Sequence, residues 1–240
     1  MTVGTALYAG LVLFIAYAVR GMAGFGSGLI AVPLLSMVAP VASVVPMVVV
    51  LDYMGSASQG LGSQKQIAWR ELSILVPFMI VGVAGGLYFL SVLPTAILSR
   101  ALGAFVLTFA VYQLLPLPPL RGSRLTASYF GLLGGLVGTL FGTGGPFYAI
   151  YLSLCGLGKE SFRATFATNF LLDGGVRLVA YTVLGLFTRD LLLALASAVP
   201  VAAVGLWVGS RIHSELSPLA FRAIISALLV GSGLVLLFRT

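Results

Sequence analysis

The sequence predicts an all-α integral membrane protein: two inverted repeats of about five membrane segments each, with short helices after glycine-rich breaks. Three observations predict it. Charged residues make up 8% of the chain and hydrophobic residues 60%. Apolar stretches of membrane-crossing length recur from one end to the other. A glycine-rich phrase, GFGSG at residues 24–28, returns as GTGG at residues 142–145, each time inside an apolar stretch.

A soluble surface carries roughly 25% charged residues, so a chain with 8% needs lipid as its solvent. The net charge of +7 does not indicate nucleic acid, because the basic residues stand singly in short connectors and are not interleaved with aromatics on one face. Residues 1–19 carry no side-chain charge, so the basic start of a cleavable signal is missing. The one cysteine, Cys155, excludes an intrachain disulfide and reads as a small packing residue. The one histidine, His213, lies in a polar connector and makes no metal site. No cofactor is expected.

A helix needs about 20 apolar residues to cross a bilayer. Residues 3–20, 41–61, 71–92, 95–115, 125–141, 162–187, 190–211 and 217–238 meet that need. Two shorter stretches, 28–39 and 144–157, each follow a glycine phrase directly. Period-two alternation is absent, which argues against a barrel. The clearest connectors are 62–70 (GSQKQIAWR) and 116–124 (PLPPLRGSR). The second holds Pro116, Pro118 and Pro119 at the middle of the chain and reads as a linker. The expected organisation is a first membrane repeat at 1–115, a cytoplasmic linker at 116–124 and a second repeat at 125–240.

Four features recur in the same order in both halves. The glycine phrases align. Trp69-Arg70-Glu71-Leu72 matches Thr188-Arg189-Asp190-Leu191. Gly82 and Gly86 match Gly205 and Gly209, and Arg100 matches Arg222. That order suggests an internal duplication. The Gly-x-x-x-Gly pairs suit close helix packing, either within the chain or between the chains of a homodimer.

Positive charge decides the orientation of the halves. If the short segments do not cross, the connectors with Lys159, Arg163, Arg211 and Arg222 fall opposite those with Lys65, Arg70, Arg121 and Arg124. If each short segment crosses, all of these and Arg20 gather near one face. The other face keeps Arg189 beside Asp190, and Arg239. Five crossings per half therefore fit better, and an odd number inverts the second half. The expectation is a multi-pass protein of the cell membrane with both termini outside.

A glycine break at membrane depth exposes backbone N–H groups that lipid cannot satisfy, so it must face protein or a water-filled cavity. A helix restarting there aims free N–H groups and a partial positive charge into that cavity. Two such breaks at corresponding places of inverted halves point to a transporter site for an anion. The residues expected to bind it are Gly24, Gly26, Ser27 and Gly28 at the first break, and Gly142, Thr143, Gly144 and Gly145 at the second. Either set of glycines alone would read as tight helix packing; the repetition tips the reading towards a site.

The stretches RGMAGFGSGLIAVPLL (20–35) and GTLFGTGGPFYAIYL (138–152) resemble the paired motifs of the TauE/SafE sulfite exporter family, also called the TSUP permeases. The two-half layout, the central linker and AWREL at 68–72 are similar too. The resemblance covers nearly the whole chain. It implies movement of small sulfur-containing anions: sulfite, sulfonates, sulfoacetate and, in some members, thiosulfate. Two departures stand out: the first motif reads GFGSG where adjacent glycines are common, and Pro146 follows the second.

Ionisable residues at membrane depth suggest function by default. Asp52 is the single charge between Gly21 and Gln64. It reads as the partner of an arginine from the other half, or as a protonated proton carrier. Asp173 and Arg177 are four residues apart on one helix face, with Asn169 a turn earlier. That pair reads as a proton-coupling acid beside an anion-binding arginine, or as a structural ion pair. Asn169 and Gln59 suit hydrogen bonds to an anion or between helices. Arg20, just before the first break, suits a two-pronged contact with the anion or snorkelling to the basic face.

These readings make the chain a secondary exporter of small sulfur-containing anions by alternating access, coupled to protons. A passive small-anion channel is the alternative. No Walker-type loop is present, so ATP is not the direct driver, and no HExxH or GxSxG motif supports an enzyme. A pure scaffold would need none of the polar groups at membrane depth.

Overall fold

The computed structural model describes residues 3–24, 26–60, 66–114, 123–212 and 218–238. Phe25, Lys65, Arg121, His213, Arg239 and most of the 116–124 linker lie outside the described residues, as do the side chains of Gln59 and Arg222. The described residues form α-helices in the order α1 (Val3–Ala23), α2 (Ser27–Leu35), α3 (Val41–Gly60), α4 (Trp69–Val92), α5 (Thr95–Leu114), α6 (Arg124–Phe141), α7 (Gly145–Leu154), α8 (Lys159–Val183), α9 (Arg189–Arg211) and α10 (Pro218–Phe238). Each expected segment is present, and the two short ones are the short helices α2 and α7.

Local chemistry sets the helix ends. Ser123 and Thr126 form a reciprocal capping box at the start of α6. The Thr188 side chain accepts from the Leu191 N–H at the start of α9, which carries Asp190 in its first turn and Arg211 in its last. Helix α6 stops at Gly142, whose φ of 66° is left-handed. Pro146 opens α7 in its first turn, where a missing N–H costs no helical bond.

Among the described residues, four helices, Val3–Met22, Trp69–Val92, Thr95–Tyr112 and Arg189–Arg211, are long and apolar enough to cross a membrane. Their outward surface is apolar: Leu7, Leu11, Val81, Leu193 and Val204 are all exposed. Helix α8 shows the same inversion. Its interior side carries Asn169, Asp173 and Arg177, while Val179 and Val183 face outward. Lipid, unlike water, favours that arrangement.

The chain divides into two compact units. One comprises Met1–Val48, Leu93–Leu117 and Thr188–Thr240; the other comprises Val49–Val92 and Pro118–Phe187. Each draws on both halves of the sequence. In the first unit α1 packs on α9, and α5 on α10. In the second α4 packs on α6, and α7 and α8 close against them.

The Gly-x-x-x-Gly pairs serve these contacts inside the chain. A β-carbon on Gly82 would fall on the Leu132 carbonyl of α6, and one on Gly86 would strike Thr139. In the other unit, one on Gly205 would strike the Phe14 carbonyl of α1, and one on Gly209 the Ala18 carbonyl. Helices α4 and α9 also carry an interior proline at matching places, Pro77 and Pro200.

Candidate functional site

Helix α6 positions the second break with two glycine faces. Gly131 and Gly135 lie against the α4 backbone at Leu75 and Met79. Gly134 and Gly138 lie on another side, where a β-carbon would meet the Tyr148 ring and the Arg177 guanidinium respectively. Gly144 belongs to this second face. A β-carbon there would strike the Gly134 carbonyl, so Gly144 is needed for α7 to approach α6. Gly145 is likewise closed over, by the Phe170 and Phe166 rings of α8.

Helix α8 then brings a polar ridge to the break. Thr165, Asn169, Asp173, Arg177 and Tyr181 recur every fourth residue and are all buried. Rows at that spacing run along one side of a helix. From one end of the ridge, Thr165 accepts from the Ala68 N–H at 2.8 Å, which ties α8 to the start of α4. Asp173 forms an ion pair with Arg177 through Nη2. Its other carboxylate oxygen accepts from the Tyr148 hydroxyl of α7 at 3.1 Å. Arg177 Nη1 donates to the Gly138 carbonyl at 2.7 Å, and the Tyr181 hydroxyl donates to the Thr139 carbonyl at 2.7 Å. Gly138 also accepts from the Gly142 N–H, at 2.9 Å. The last turn of α6 thus has its carbonyls taken by side chains one turn apart on α8, which meets the hydrogen-bonding need of a helix end away from water.

Polar groups remain beyond this network. Among the described residues, Thr143 Oγ1, both amide atoms of Asn169 and Arg177 Nε are buried with no hydrogen-bond partner. Buried polar groups are paired in the large majority of cases, so several in one unit need a reason.

The first break is built differently. Gly24 and Gly26 both have left-handed φ, 82° and 99°, and a β-carbon on either would meet nothing within 4 Å. Backbone conformation, not crowding, requires glycine there. Gly26 is the N-cap of α2, and Ser27 and Gly28 in its first turn are buried. Arg20, in the last turn of α1, is 2% exposed and donates from Nη1 to Ser27 Oγ at 3.1 Å. A buried guanidinium therefore stands at each break. In one unit it comes from the helix before the break, in the other from α8, with Gly138 at the α6 position matching Arg20.

The second unit gathers Gly142, Thr143, Gly144, Gly145, Asp173 and Arg177 with Asn169 on the same ridge. The first gathers Arg20, Gly24, Gly26, Ser27 and Gly28. Asp52 is a buried carboxylate of α3 in the second unit, 7% exposed. Sequence reasoning missed Tyr148, Tyr181 and Thr165. The four-residue recurrence of polar types on α8 was the available signal for the last two; Tyr148 had none, since a tyrosine in an apolar helix resembles packing.

A further cluster ties the far end of α7 to α4. The Tyr151 hydroxyl donates to Glu71 Oε2 at 2.5 Å, and Cys155 Sγ lies 3.6 Å from the same oxygen. Cys155 is thus half-buried beside a carboxylate, a more polar place than an apolar packing role implies. Among the described residues no three His, Cys, Asp or Glu side chains stand where they could hold a metal ion.

The family model for the sulfite exporter TauE/SafE matches residues 9–236. A probable sulfite/organosulfonate exporter, TauE, of Cupriavidus necator is 28% identical over 218 residues, covering 88% of this chain and 85% of that protein. A probable inner membrane transporter protein, TsaS, of Comamonas testosteroni is 26% identical over 199 residues, covering 79% and 81%. No solved structure matches. The glycine breaks, the apolar exterior and a family match spanning nearly the whole chain agree: this multi-pass membrane protein belongs to the sulfite exporter TauE/SafE family.

Proposed function

We propose that this chain is a secondary transporter that exports small sulfur-containing anions, of the sulfite and organosulfonate class, by alternating access and with coupling to protons. The name of the family and that of the Cupriavidus necator relative support the substrate class. The matching pairs α1 with α9 and α4 with α6, each seated on a Gly-x-x-x-Gly pair, support a repeated architecture, and the sorting of positive charge supports its inversion.

The observation that carries the reading is the set of unmet groups at the second break. Thr143 Oγ1, the Asn169 amide and Arg177 Nε are donors buried without a partner among the described residues. Thr143 directly precedes the N-terminus of α7, the Arg177 guanidinium flanks Gly138 beside Gly144, and Asn169 lies two turns before Arg177 on the α8 ridge; α7 is a helix of ten residues whose free N–H groups favour negative charge. A small oxyanion offers several acceptor oxygens to such donors. At the first break Arg20 and Ser27 beside the N-terminus of α2 offer the same chemistry. Asp52 and Asp173, both buried carboxylates of the second unit, are the groups we assign to carry protons.

Shape-conserving replacements separate a site from a packing feature. A buried polar group with no partner can be replaced by an apolar one at little cost or with a gain in stability. Asn169→Leu and Thr143→Val are therefore expected to fold and melt no lower than the parent. Each is expected to bind sulfite or ethanesulfonate at least tenfold more weakly, about 1.4 kcal/mol. Parent-like affinity in both folded variants places the site elsewhere. On solid-supported membranes the parent should give transient currents with sulfite and sulfonates; a steady conductance would make it a channel.

A further inference from the structure

The geometry points to Asp173 as a resident stand-in for the substrate: its carboxylate holds Arg177 until a proton neutralises it, and the arriving anion then takes its place on the guanidinium. This inference rests on the transport reading above and names how the site couples to protons.

Arg177 is 3% exposed and Asp173 fully buried, so the two form a closed pair of one positive and one negative charge. Both carboxylate oxygens are engaged, one by Arg177 and the other by Tyr148. The guanidinium is anchored from elsewhere as well, through Nη1 to the Gly138 carbonyl, so it would stay at the break if Asp173 let go. Its Nε is a buried donor without a partner among the described residues. It also sits where the anion donors are. A β-carbon built on Gly138 would lie 3.4 Å from Arg177 Nη1 and 3.4 Å from Gly144 Cα, so the guanidinium and the start of α7 flank the same glycine.

Charge balance supplies the coupling. An anion added to the intact pair leaves one uncompensated negative charge in a buried place, which is strongly unfavourable. An anion added together with one proton leaves the net charge unchanged. The proton goes from solution to an Asp173 carboxylate oxygen; the Asp173–Arg177 ion pair breaks, and an Arg177–anion pair forms. Other titratable groups stand on the elements packed around Asp173. Tyr148 reaches it from α7, and Tyr181 stands two turns along α8. Tyr53 of α3 lies against Gly174, and Glu71 of α4 is taken by Tyr151 and Cys155. Tyr148 gives the exchange a mechanical consequence. It is the link from Asp173 to the short helix α7, and its ring fills the space left by Gly134, so a change at Asp173 is felt by the helix that forms the break.

The test is proton uptake on binding, measured by calorimetry of the full-length purified protein in buffers of different ionisation enthalpy. Ethanesulfonate is the probe, because its single charge does not titrate in the working range and any proton taken up goes to the protein. The parent is expected to take up one proton per anion bound, and its Kd to rise about tenfold per pH unit where Asp173 is ionised, as linkage requires. Asp173→Asn keeps the size of the side chain and mimics the neutral acid. It is expected to bind ethanesulfonate with no proton uptake and with a Kd independent of pH. Binding by the parent without proton uptake overturns the inference, and does so even if the variant fails to fold. Undiminished uptake in a folded Asp173→Asn protein also overturns it and moves the proton to another group, Asp52 first. Failure of the parent to bind ethanesulfonate or sulfite at any pH removes the transport reading itself, a different outcome from binding without protons.

Discussion

At the scale of single residues, α8 does most of the work at the second break. Arg177 and Tyr181 each give a hydrogen bond to a carbonyl of the last turn of α6, at Gly138 and Thr139. Water would take those bonds in a soluble protein; here a side chain must. Tyr181→Phe keeps the ring and removes only the donor. It is expected to destabilise the protein by about 1–3 kcal/mol, the cost of a buried acceptor left unsatisfied. Anion affinity should change little, because Tyr181 is not among the unmet donors. The melting temperature in detergent beside ethanesulfonate affinity checks both halves of that expectation, and an unchanged melting temperature would show that the bond carries no stability.

At the scale of elements, glycine has two opposite duties in this protein, and position tells them apart. Gly82 lies against the Leu132 carbonyl, where any β-carbon overlaps backbone. Gly85, three residues on, has only Leu136 Cδ1 near, at 3.8 Å. Gly82→Ala is therefore expected to force α4 from α6 at a cost of about 1–3 kcal/mol. Gly85→Ala should stabilise by about 0.5–1 kcal/mol, because alanine loses less freedom in a helix. Thermal melts of the two variants should shift in opposite directions; equal shifts would mean that the close approach of α4 to α6 is not what Gly82 provides. The same distinction applies at the breaks. Gly144 is a packing residue of the α6–α7 contact, so a bulky replacement there tests folding. Gly26, open around its β-carbon but left-handed in φ, is held by backbone conformation.

At the scale of the whole molecule, topology turns on α2 and α7. They have nine and ten residues, about 14 and 15 Å at 1.5 Å per residue, roughly half of a hydrocarbon core. In the inverted arrangement the chain nevertheless changes side at each of them. Single cysteines on a Cys155→Ser background decide this. Ser123→Cys and Gly158→Cys are expected to be labelled from the cytoplasm, and Ser91→Cys from outside. All three positions are exposed. Gly158 labelled from the same side as Ser91 would mean that α7 does not carry the chain across, and the two halves would not be inverted.

The sequence by itself determined what depends on composition and on spacing along the chain. The lipid-facing class follows from 8% charge, the helices follow from apolar length, and the breaks from Gly24–Gly28 and Gly142–Gly145. The Asp173–Arg177 pair was legible because four residues along a helix is also a distance in space. Only the tertiary structure decided which helices meet. That α4 packs on α6, and α1 on α9, draws each compact unit from both halves of the chain, which a linear division at the proline-rich linker does not reveal. It also decided that Gly144 packs, that Tyr148 of α7 reaches Asp173 of α8, and that the Thr143 hydroxyl and the Asn169 amide are left without hydrogen-bond partners among the described residues. The physical reason is common to all of these. A hydrogen bond or a van der Waals contact acts over a few ångströms, and residues far apart in sequence come that close only once the helices have packed.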